Sequence, residues 1–277
     1  MQNQTSPLIL SFGAADPAGA IGVQADLAAF AALSCTGLAA TTALLIGDSA
    51  HVEDTQDVDP DWVSDQARVL LEDMTMAAFK VGAITNIEQV AAIAEILSDY
   101  PDAPLILDPF SSRLPHPSDD DAEELLTAIR QLLVPQATVL MLSRVELNHL
   151  AETWREGAED IASDVEHLLA LGCEFVLVTG TPAGSALGDS ALANTLYGSD
   201  GVVSHEAWQH LPGPFIGAGG VLSAAIAAYM AQGLDVEDAV AAAQEYTVGA
   251  LAHAQRVGMG KFIPDRFFRL RATTPQA

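Results

Sequence analysis

The sequence predicts an α/β protein in which helices cover both faces of a central, mostly parallel sheet. Short runs of apolar, β-favouring residues alternate with segments of helical periodicity. The runs are continuously apolar, as expected for strands that are buried on both faces. No internal repeat or low-complexity linker divides the 277 residues. We therefore expect one domain that covers residues 1–277.

The individual elements follow from these runs in chain order. Predicted strands cover residues 7–12, 39–46, 77–82, 104–108, 138–142 and 175–178. Predicted helices cover residues 26–33, 61–71, 87–97, 122–133, 161–171, 221–231 and 235 to about 255, the last with Asp235 as its N-cap. The pattern changes after Gly180, where residues 191–197 and 202–208 flank a polar, glycine-containing turn and predict a β-hairpin.

The charge balance excludes some partners. The chain carries 37 acidic and 11 basic residues, a net charge of -26, so we expect no nucleic-acid partner. This composition is typical of a surface that stays soluble at high salt. No apolar stretch has the length of a membrane span, and the first residues do not resemble a signal peptide. We therefore expect a cytoplasmic protein without a membrane partner. Cys35, Cys173 and the seven histidines form no metal motif.

Residues 211–225 contain the strongest local signal for function. A loop rich in proline and glycine leads into small apolar residues, with no helix breaker until Gly233. Such a loop offers free backbone N–H groups and the positive end of a helix dipole to a phosphate. A glycine-rich helix entry that serves only tight packing is the alternative, and the local pattern leaves both open. The candidate phosphate-binding residues are Gly217, Ala218, Gly219 and Gly220.

Further candidate residues follow the predicted strands, because ligands of parallel α/β sheets bind at the carboxyl ends of the strands. These positions are Ala14, Ala15, Asp16, Gly47, Asp48, Gly82, Ala83, Asp108, Ser143 and Glu146. Two carboxylates in one cleft, Asp108 and Glu146, can hold Mg²⁺ through water. The alternatives are a turn residue at Asp108 and a solvated helix face at Glu146.

Five segments resemble hydroxymethylpyrimidine/phosphomethylpyrimidine kinases, which belong to the ribokinase-like superfamily. Residues 12–27 are similar to the family's G-S-D-[SP]-S-G-G-A-G-I-Q-A-D-L segment, and residues 217–227 to its G-[TS]-G-C-T-L-[SA]-A-A-I-A segment. Shorter matches are Thr42-Ala43-Leu44 to T-A-L, Lys80-Val81-Gly82 to K-[IV]-G, and Leu107-Asp108-Pro109 to L-D-P. The resemblance extends from about residue 8 to residue 268.

This resemblance implies a ribokinase-like three-layer αβα fold, ATP and Mg²⁺ as cofactors, and a homodimer. It implies transfer of the ATP γ-phosphoryl group to the hydroxymethyl oxygen of an aminopyrimidine and then to the resulting monophosphate, in thiamine biosynthesis. It implies an anion hole at residues 217–220 and metal binding by Asp108 and Glu146. The positions implied to line the substrate site are Ala14, Asp16, Ile21, Gly47, Ala83 and Phe110.

The sequence departs from the family pattern at the expected chemistry. Gly220 stands where the family has Cys, and the wider superfamily Asp, as the proposed base for the attacking hydroxyl. The loss of a general base typically costs about 10²–10⁴-fold in rate, although phosphoryl transfer depends largely on positioning. Gly47 replaces the Gln or Glu that reads the pyrimidine amine, and Ser143 replaces an Asn.

The residues around the ring site differ as well. Ile21, Ala83 and Phe110 stand at positions where the family frequently has Ala, Met and Val. Three interpretations remain open: a pyrimidine kinase with impaired or altered activity, a ribokinase-like kinase of another small molecule, and a catalytically silent paralogue that binds a ligand or a partner.

Overall fold

A nine-stranded sheet runs through the described part of the chain, and its six central strands are parallel. The computed structural model describes residues 6–110, 119–158, 160–183, 192–207, 211 and 213–271. The strands are β1 (Leu8–Ala15), β2 (Thr36–Gly47), β3 (Val52–Asp57), β4 (Ala78–Val81), β5 (Leu105–Leu107), β6 (Val139–Ser143), β7 (Phe175–Pro182), β8 (Leu192–Gly198) and β9 (Gly201–Ala207). Their spatial order is β3-β2-β1-β4-β5-β6-β7-β8-β9. In this spatial order, the six strands β2, β1, β4, β5, β6 and β7 are parallel to their neighbours. The outer strands β3, β8 and β9 pair antiparallel.

Helices cover both faces of this sheet. They are α1 (Gly22–Ala32), α2 (Pro60–Asp73), α3 (Ile87–Ser98), α4 (Asp119–Ala128), α5 (Arg144–Ala151), α6 (Ile161–Ala170), α7 (Ala218–Ala231), α8 (Val236–Ala252) and α9 (Phe268–Arg271). Ile9 packs in one apolar cluster with α1, α7 and α8, while its neighbour Leu10 packs in another with α2 to α6. Successive strand residues face opposite sides of a sheet, so both sides of β1 are buried. The predicted sheet with two helical layers is confirmed.

Two helices begin earlier than predicted. Helix α1 begins at Gly22 and not at residue 26, and α7 begins at Ala218 and not at residue 221. Glycine is a poor helix former, so propensity alone places these residues in loops. Packing overrides propensity in α7, because its residues from Val221 to Ala228 are all buried.

Other differences arise at the edges of the fold. Strand β3 was not predicted, because its sequence Val-Glu-Asp-Thr-Gln-Asp is polar and half exposed, as edge strands often are. The predicted helix 122–133 ends as a π-helical turn at Ile129–Leu133, followed by a 3₁₀ turn at Val134–Gln136 that contains Pro135. The predicted hairpin is confirmed as β8 and β9, while its residues 191 and 208 lie outside the described residues. None of the helices in the described ranges combines the length and apolar composition that a membrane span needs.

The turn between β1 and α1 requires glycine at position 22, because Gly22 packs closely against the backbone of Ala14. Gly22 has φ +64°, and an added Cβ would lie 2.0 Å from the Ala14 carbonyl oxygen. Gly19 has φ +63°, but an added Cβ would meet nothing within 4 Å. Gly19→Ala therefore carries only the left-handed strain, about 1 kcal/mol. We expect Gly22→Ala to lower the free energy of unfolding by about 1–3 kcal/mol more than Gly19→Ala, because backbone must move. Urea unfolding of both variants checks this, and equal losses would contradict it.

Candidate active site

A pocket opens at the carboxyl ends of β1, β4 and β5, beside the N-terminus of α7. The chain leaves β1 toward β2 on one side and reaches β4 on the other, so this is the point where the strand order reverses and where such sheets bind ligands. The pocket brings together seven sequence-predicted positions: Ala14, Ile21, Gly82, Ala83, Asp108, Phe110 and Gly220. It also includes four residues that the sequence did not indicate as site residues: Gly13, Gly22, Asp26 and Lys80.

The turn at one side of the pocket is organised by Asp16. Its carboxylate accepts hydrogen bonds from the amides of Ala18, Ala20 and Ile21 at 2.8–3.0 Å, and the side chain is buried. Asp16 is not among the residues that line the pocket. The geometry therefore indicates that Asp16 shapes the turn that carries Ile21 to the pocket wall.

The opposite side of the pocket is the first turn of α7. Gly217 is its N-cap, with φ +81°, and the first intrahelical bond joins the Val221 amide to the Gly217 carbonyl at 3.0 Å. The amides of Ala218, Gly219 and Gly220 precede that bond, so they have no intrahelical acceptor. Three N–H groups and a helix dipole are thus available to an anion at this point.

Gly220 leaves space where a side chain would stand. A Cβ built on Gly220 would meet nothing within 4 Å, and φ is not in the left-handed region. The missing side chain is therefore not enforced by crowding. The backbone of this turn retains its donors, while the pocket lacks the side chain that the family pattern has here.

Asp108 follows β5 and faces Gly220 across the pocket. The Ser223 hydroxyl, one turn into α7, donates to Asp108 Oδ2 at 2.7 Å. Burial raises the pKa of Asp108 to about 6, against the opposing effects of the Lys80 ammonium and the Ser223 hydrogen bond. The negative charges of Glu146 and Asp26 raise this pKa further. A carboxylate among other carboxylates is stabilised by a cation, so this arrangement suits Mg²⁺.

Glu146 lies outside the pocket wall, in the first turn of α5. Its Oε2 accepts from the Ser143 amide at 2.7 Å, while the Ser143 hydroxyl accepts from the Glu146 amide at 3.2 Å. This capping box explains both residue types without a ligand. Among the described residues, no group of three or more His, Cys, Asp or Glu could hold a metal ion by itself. Phosphate oxygens and waters would have to complete an Mg²⁺ shell around Asp108 and Glu146.

Gly47 is separated from the pocket by its place in the β2–β3 hairpin. It stands at an irregularity in the pairing of these strands, where a Cβ would lie 2.8 Å from the His51 carbonyl oxygen. Gly47 is not among the pocket-lining residues. Its backbone geometry accounts for glycine here, and a longer side chain in the present conformation would clash with the hairpin.

Sequence reasoning did not single out the Asp26–Lys80 pair. Lys80 Nζ on β4 lies 2.8 Å from Asp26 Oδ2 on α1, and both side chains are at most 3% exposed. One signal was available, because Lys80 is one of only two lysines in the chain and stands in an apolar strand. A lysine in such a strand requires a buried partner.

The switch-point pocket and the anion-binding helix terminus are features of α/β enzymes that act on phosphorylated small molecules. Residues 16–265 match the family described as phosphomethylpyrimidine kinase. The chain is 32% identical over 269 residues to the hydroxymethylpyrimidine/phosphomethylpyrimidine kinase of Mycobacterium bovis, covering 96% of both proteins. It is 31% identical over 260 residues to that of Streptomyces coelicolor, covering 92% of this chain and 93% of the relative. The chain belongs to the phosphomethylpyrimidine kinase family.

The fold is similar to that of solved kinases. An ADP complex of Bacillus subtilis pyridoxal kinase superimposes with a TM-score of 0.82 at 22% identity, covering 96% of this chain and 100% of that chain. The family, the ribokinase-like αβα fold and the assignment to the small-molecule kinases are thereby confirmed. The roles of individual site residues stay predictions.

The raised pKa of Asp108 makes a prediction for the protein without metal or nucleotide. The native carboxyl holds its proton up to about pH 6, whereas the unfolded carboxyl loses it near its ordinary value of 3.8. Stability is therefore lost as pH rises through this interval. We expect Asp108→Asn to exceed the wild type in free energy of unfolding by about 2 kcal/mol at pH 8, with no difference near pH 4.

Urea unfolding in EDTA at both pH values checks this prediction. Asp48→Asn is the matched control of opposite sign, because hydrogen bonds from the Ala50 and His51 amides lower the pKa of this exposed carboxyl. That variant should be less stable than the wild type at pH 8. An Asp108→Asn protein that is destabilised at pH 8 would contradict the assignment.

Proposed function

We propose that this protein transfers the γ-phosphoryl group of ATP to 4-amino-5-hydroxymethyl-2-methylpyrimidine and then to its monophosphate. One observation carries the proposal: Gly220, in the first turn of α7, lines a single pocket together with Asp108 and the apolar residues Ala14, Ile21 and Ala83. Membership of the phosphomethylpyrimidine kinase family supports the same reaction. The proposal includes Mg²⁺ as cofactor, a cytoplasmic location and a homodimer.

The pocket provides a place for each reactant. Ala14, Ile21 and Ala83 belong to one apolar cluster and would pack against the faces of the ring, with Phe110 closing another wall. The amides of residues 218–220 would hold the phosphoryl oxygens as the charge moves during transfer. The acceptor oxygen forms a bond to the γ-phosphorus, the bond between that phosphorus and the ADP oxygen breaks, and the hydroxyl proton must leave.

Asp108 and Glu146 are the residues that would hold Mg²⁺, which neutralises phosphate charge when it is bound. Ser223 fixes the orientation of the Asp108 carboxylate through its hydrogen bond. Glu146 is oriented by the capping box with Ser143. Both carboxylates are thus held before any ligand binds, which reduces the ordering cost of binding.

A second candidate function is the phosphorylation of another ring alcohol of similar size. Ile21 and Phe110 line the pocket and differ from the residues that the family pattern has at these positions, so the walls of the ring site are changed. Solved relatives by fold include a Staphylococcus aureus pyridoxal kinase in complex with pyridoxal. A silent ligand-binding paralogue is the third candidate, which follows from the absence of a side chain at Gly220.

Substrate turnover separates these candidates. Purified protein with ATP and Mg²⁺ is incubated with hydroxymethylpyrimidine, with its monophosphate and with pyridoxal, and the products are measured by mass spectrometry. We expect phosphorylation of both pyrimidines. Calorimetry with ATP and Mg²⁺ supplies the control for a silent protein. Preferential phosphorylation of pyridoxal would show that pyridoxal, and not the pyrimidine, is the substrate. The absence of nucleotide binding would contradict the assignment as a kinase.

The open space at Gly220 makes a direct test of the missing base. We expect Gly220→Cys to raise kcat for hydroxymethylpyrimidine at least several-fold, since a base contributes about 10²–10⁴-fold. Gly220→Ala is the matched control, because it adds the same Cβ without a thiol and that Cβ meets nothing within 4 Å. The measurement is the ratio of the two rates at saturating ATP. A ratio near one, with nucleotide binding intact, would indicate that proton removal does not limit this enzyme.

A further inference from the structure

The pocket contains a buried ion pair that the phosphate-binding turn does not use. Lys80 Nζ lies 2.8 Å from Asp26 Oδ2, and the Ser11 hydroxyl donates to the same oxygen at 2.7 Å. Asp26 and Lys80 line the pocket together with Asp108 and Gly220. A charge at this depth is costly without its partner. The pair is therefore a fixed feature of the pocket, held by β1, α1 and β4.

The two carboxylate oxygens of Asp26 differ in their contacts. Both donors contact Oδ2, and no described residue donates to Oδ1. Within the described ranges, the fully enclosed side-chain atoms that lack a hydrogen-bond partner are Thr55 Oγ1, Gln89 Oε1 and Arg266 Nε. Asp26 Oδ1 is not one of them, and Asp26 belongs to the lining of the pocket. An ionised carboxylate only accepts hydrogen bonds, so a ligand must bring the donor.

We propose that Asp26 is a catalytic residue, whose Oδ1 accepts the hydrogen bond and then the proton of the hydroxyl group that is phosphorylated. Residue 220 has no side chain that could accept this proton. The Asp26 carboxylate provides the proton acceptor from another wall of the same pocket. The oxygen–phosphorus bond forms as the proton passes to Oδ1, ADP leaves with the electron pair of the broken bond, and the proton then passes from Asp26 to water. Lys80 and Ser11 are positioning residues, because they hold Oδ2. This inference rests on the proposed function.

Asp26 suits this role better than the other carboxylate of the pocket. Asp108 already accepts from Ser223 and is the residue predicted to face the metal. Asp26 and Asp108 line the same pocket. A hydroxyl bound between them would thus have a proton acceptor on one side and the phosphoryl-transfer machinery on the other.

A ligand pair tests the contact without turnover. Calorimetry compares hydroxymethylpyrimidine with the analogue whose hydroxymethyl group is a methyl group, on the wild type and on Asp26→Asn. We expect Asp26→Asn to weaken binding of the hydroxyl ligand several-fold and to leave binding of the methyl analogue unchanged within about twofold. Ser11→Ala, which leaves Oδ1 in place, should preserve the preference for the hydroxyl ligand. Equal weakening of both ligands would overturn the role of Asp26.

Kinetics tests the proton transfer. Asp26→Asn should lower kcat by about 10²-fold or more, with a smaller change in KM. Adding Gly220→Cys to Asp26→Asn should restore at least about tenfold, because the thiolate replaces the lost acceptor. If Asp26→Asn does not fold, as thermal unfolding would show, Asp26→Asn with Lys80→Met removes the unpaired ammonium and enters the same assays. A loss that Gly220→Cys does not restore would overturn the inference.

The outcomes separate the inference from the proposed function. Wild-type turnover of hydroxymethylpyrimidine together with a negative ligand or rescue result overturns only the role of Asp26. A wild type that neither binds nor phosphorylates hydroxymethylpyrimidine overturns the proposed function, and the inference falls with it.

Discussion

The close approach of two glycine-containing turns determines the geometry of the whole site. A Cβ on Gly217 would lie 2.1 Å from the Ala20 carbonyl oxygen, so the turn before α7 can approach the turn before α1 only as glycine, which also accepts φ +81°. Arg266 closes this contact, since its guanidinium donates to the Ala20 carbonyl at 2.8 Å and is itself buried. The approach brings Gly220, in the first turn of α7, to the pocket that Asp108 also lines.

This constraint explains why the site tolerates the loss of one side chain. The donors of the turn belong to the backbone, and their positions depend on Gly217 and on the packing of α7, neither of which needs residue 220. Ser223 reaches Asp108 from one turn further along the same helix. A substitution at residue 220 thus removes one function and leaves the neighbouring groups in place. Sites made of preorganised backbone dipoles lose activity by steps rather than all at once.

The sequence allowed most of the fold to be predicted because the strands are continuously apolar and the helices are periodic. The polar strand β3 was not predicted, because edge strands carry little hydrophobic signal. The early start of α7 escaped because its first turn is glycine-rich and is held by packing that only the tertiary structure reveals. The pocket contains predicted residues from the carboxyl ends of strands, such as Ala14, Ala83 and Asp108, because a parallel sheet brings these ends together.

The residues that sequence reasoning misplaced or missed are those whose role depends on three-dimensional partners. Asp16 follows β1 as expected, but its carboxylate accepts hydrogen bonds from three amides of its own turn and does not line the pocket. Gly47 is the last residue of β2, and its antiparallel pairing with β3 keeps it away from the pocket. Asp26 and Lys80 are 54 positions apart in the chain, and only the pairing of β1 with β4 brings them together.

The local charges, and not the net charge of -26, decide whether this pocket can bind a phosphorylated ligand. Charges beyond about 10 Å are largely screened at 0.1 M salt, so the acidic surface contributes little inside the pocket. Asp26 and Lys80 form a neutral pair there, and Asp108 is the carboxylate left without a cationic partner of its own. The positive end of the α7 dipole and three backbone amides oppose the negative charge of Asp108. One divalent cation at Asp108 would turn this balance in favour of an anion, which is why nucleotide binding at this site should depend on the metal far more than on the surface charge.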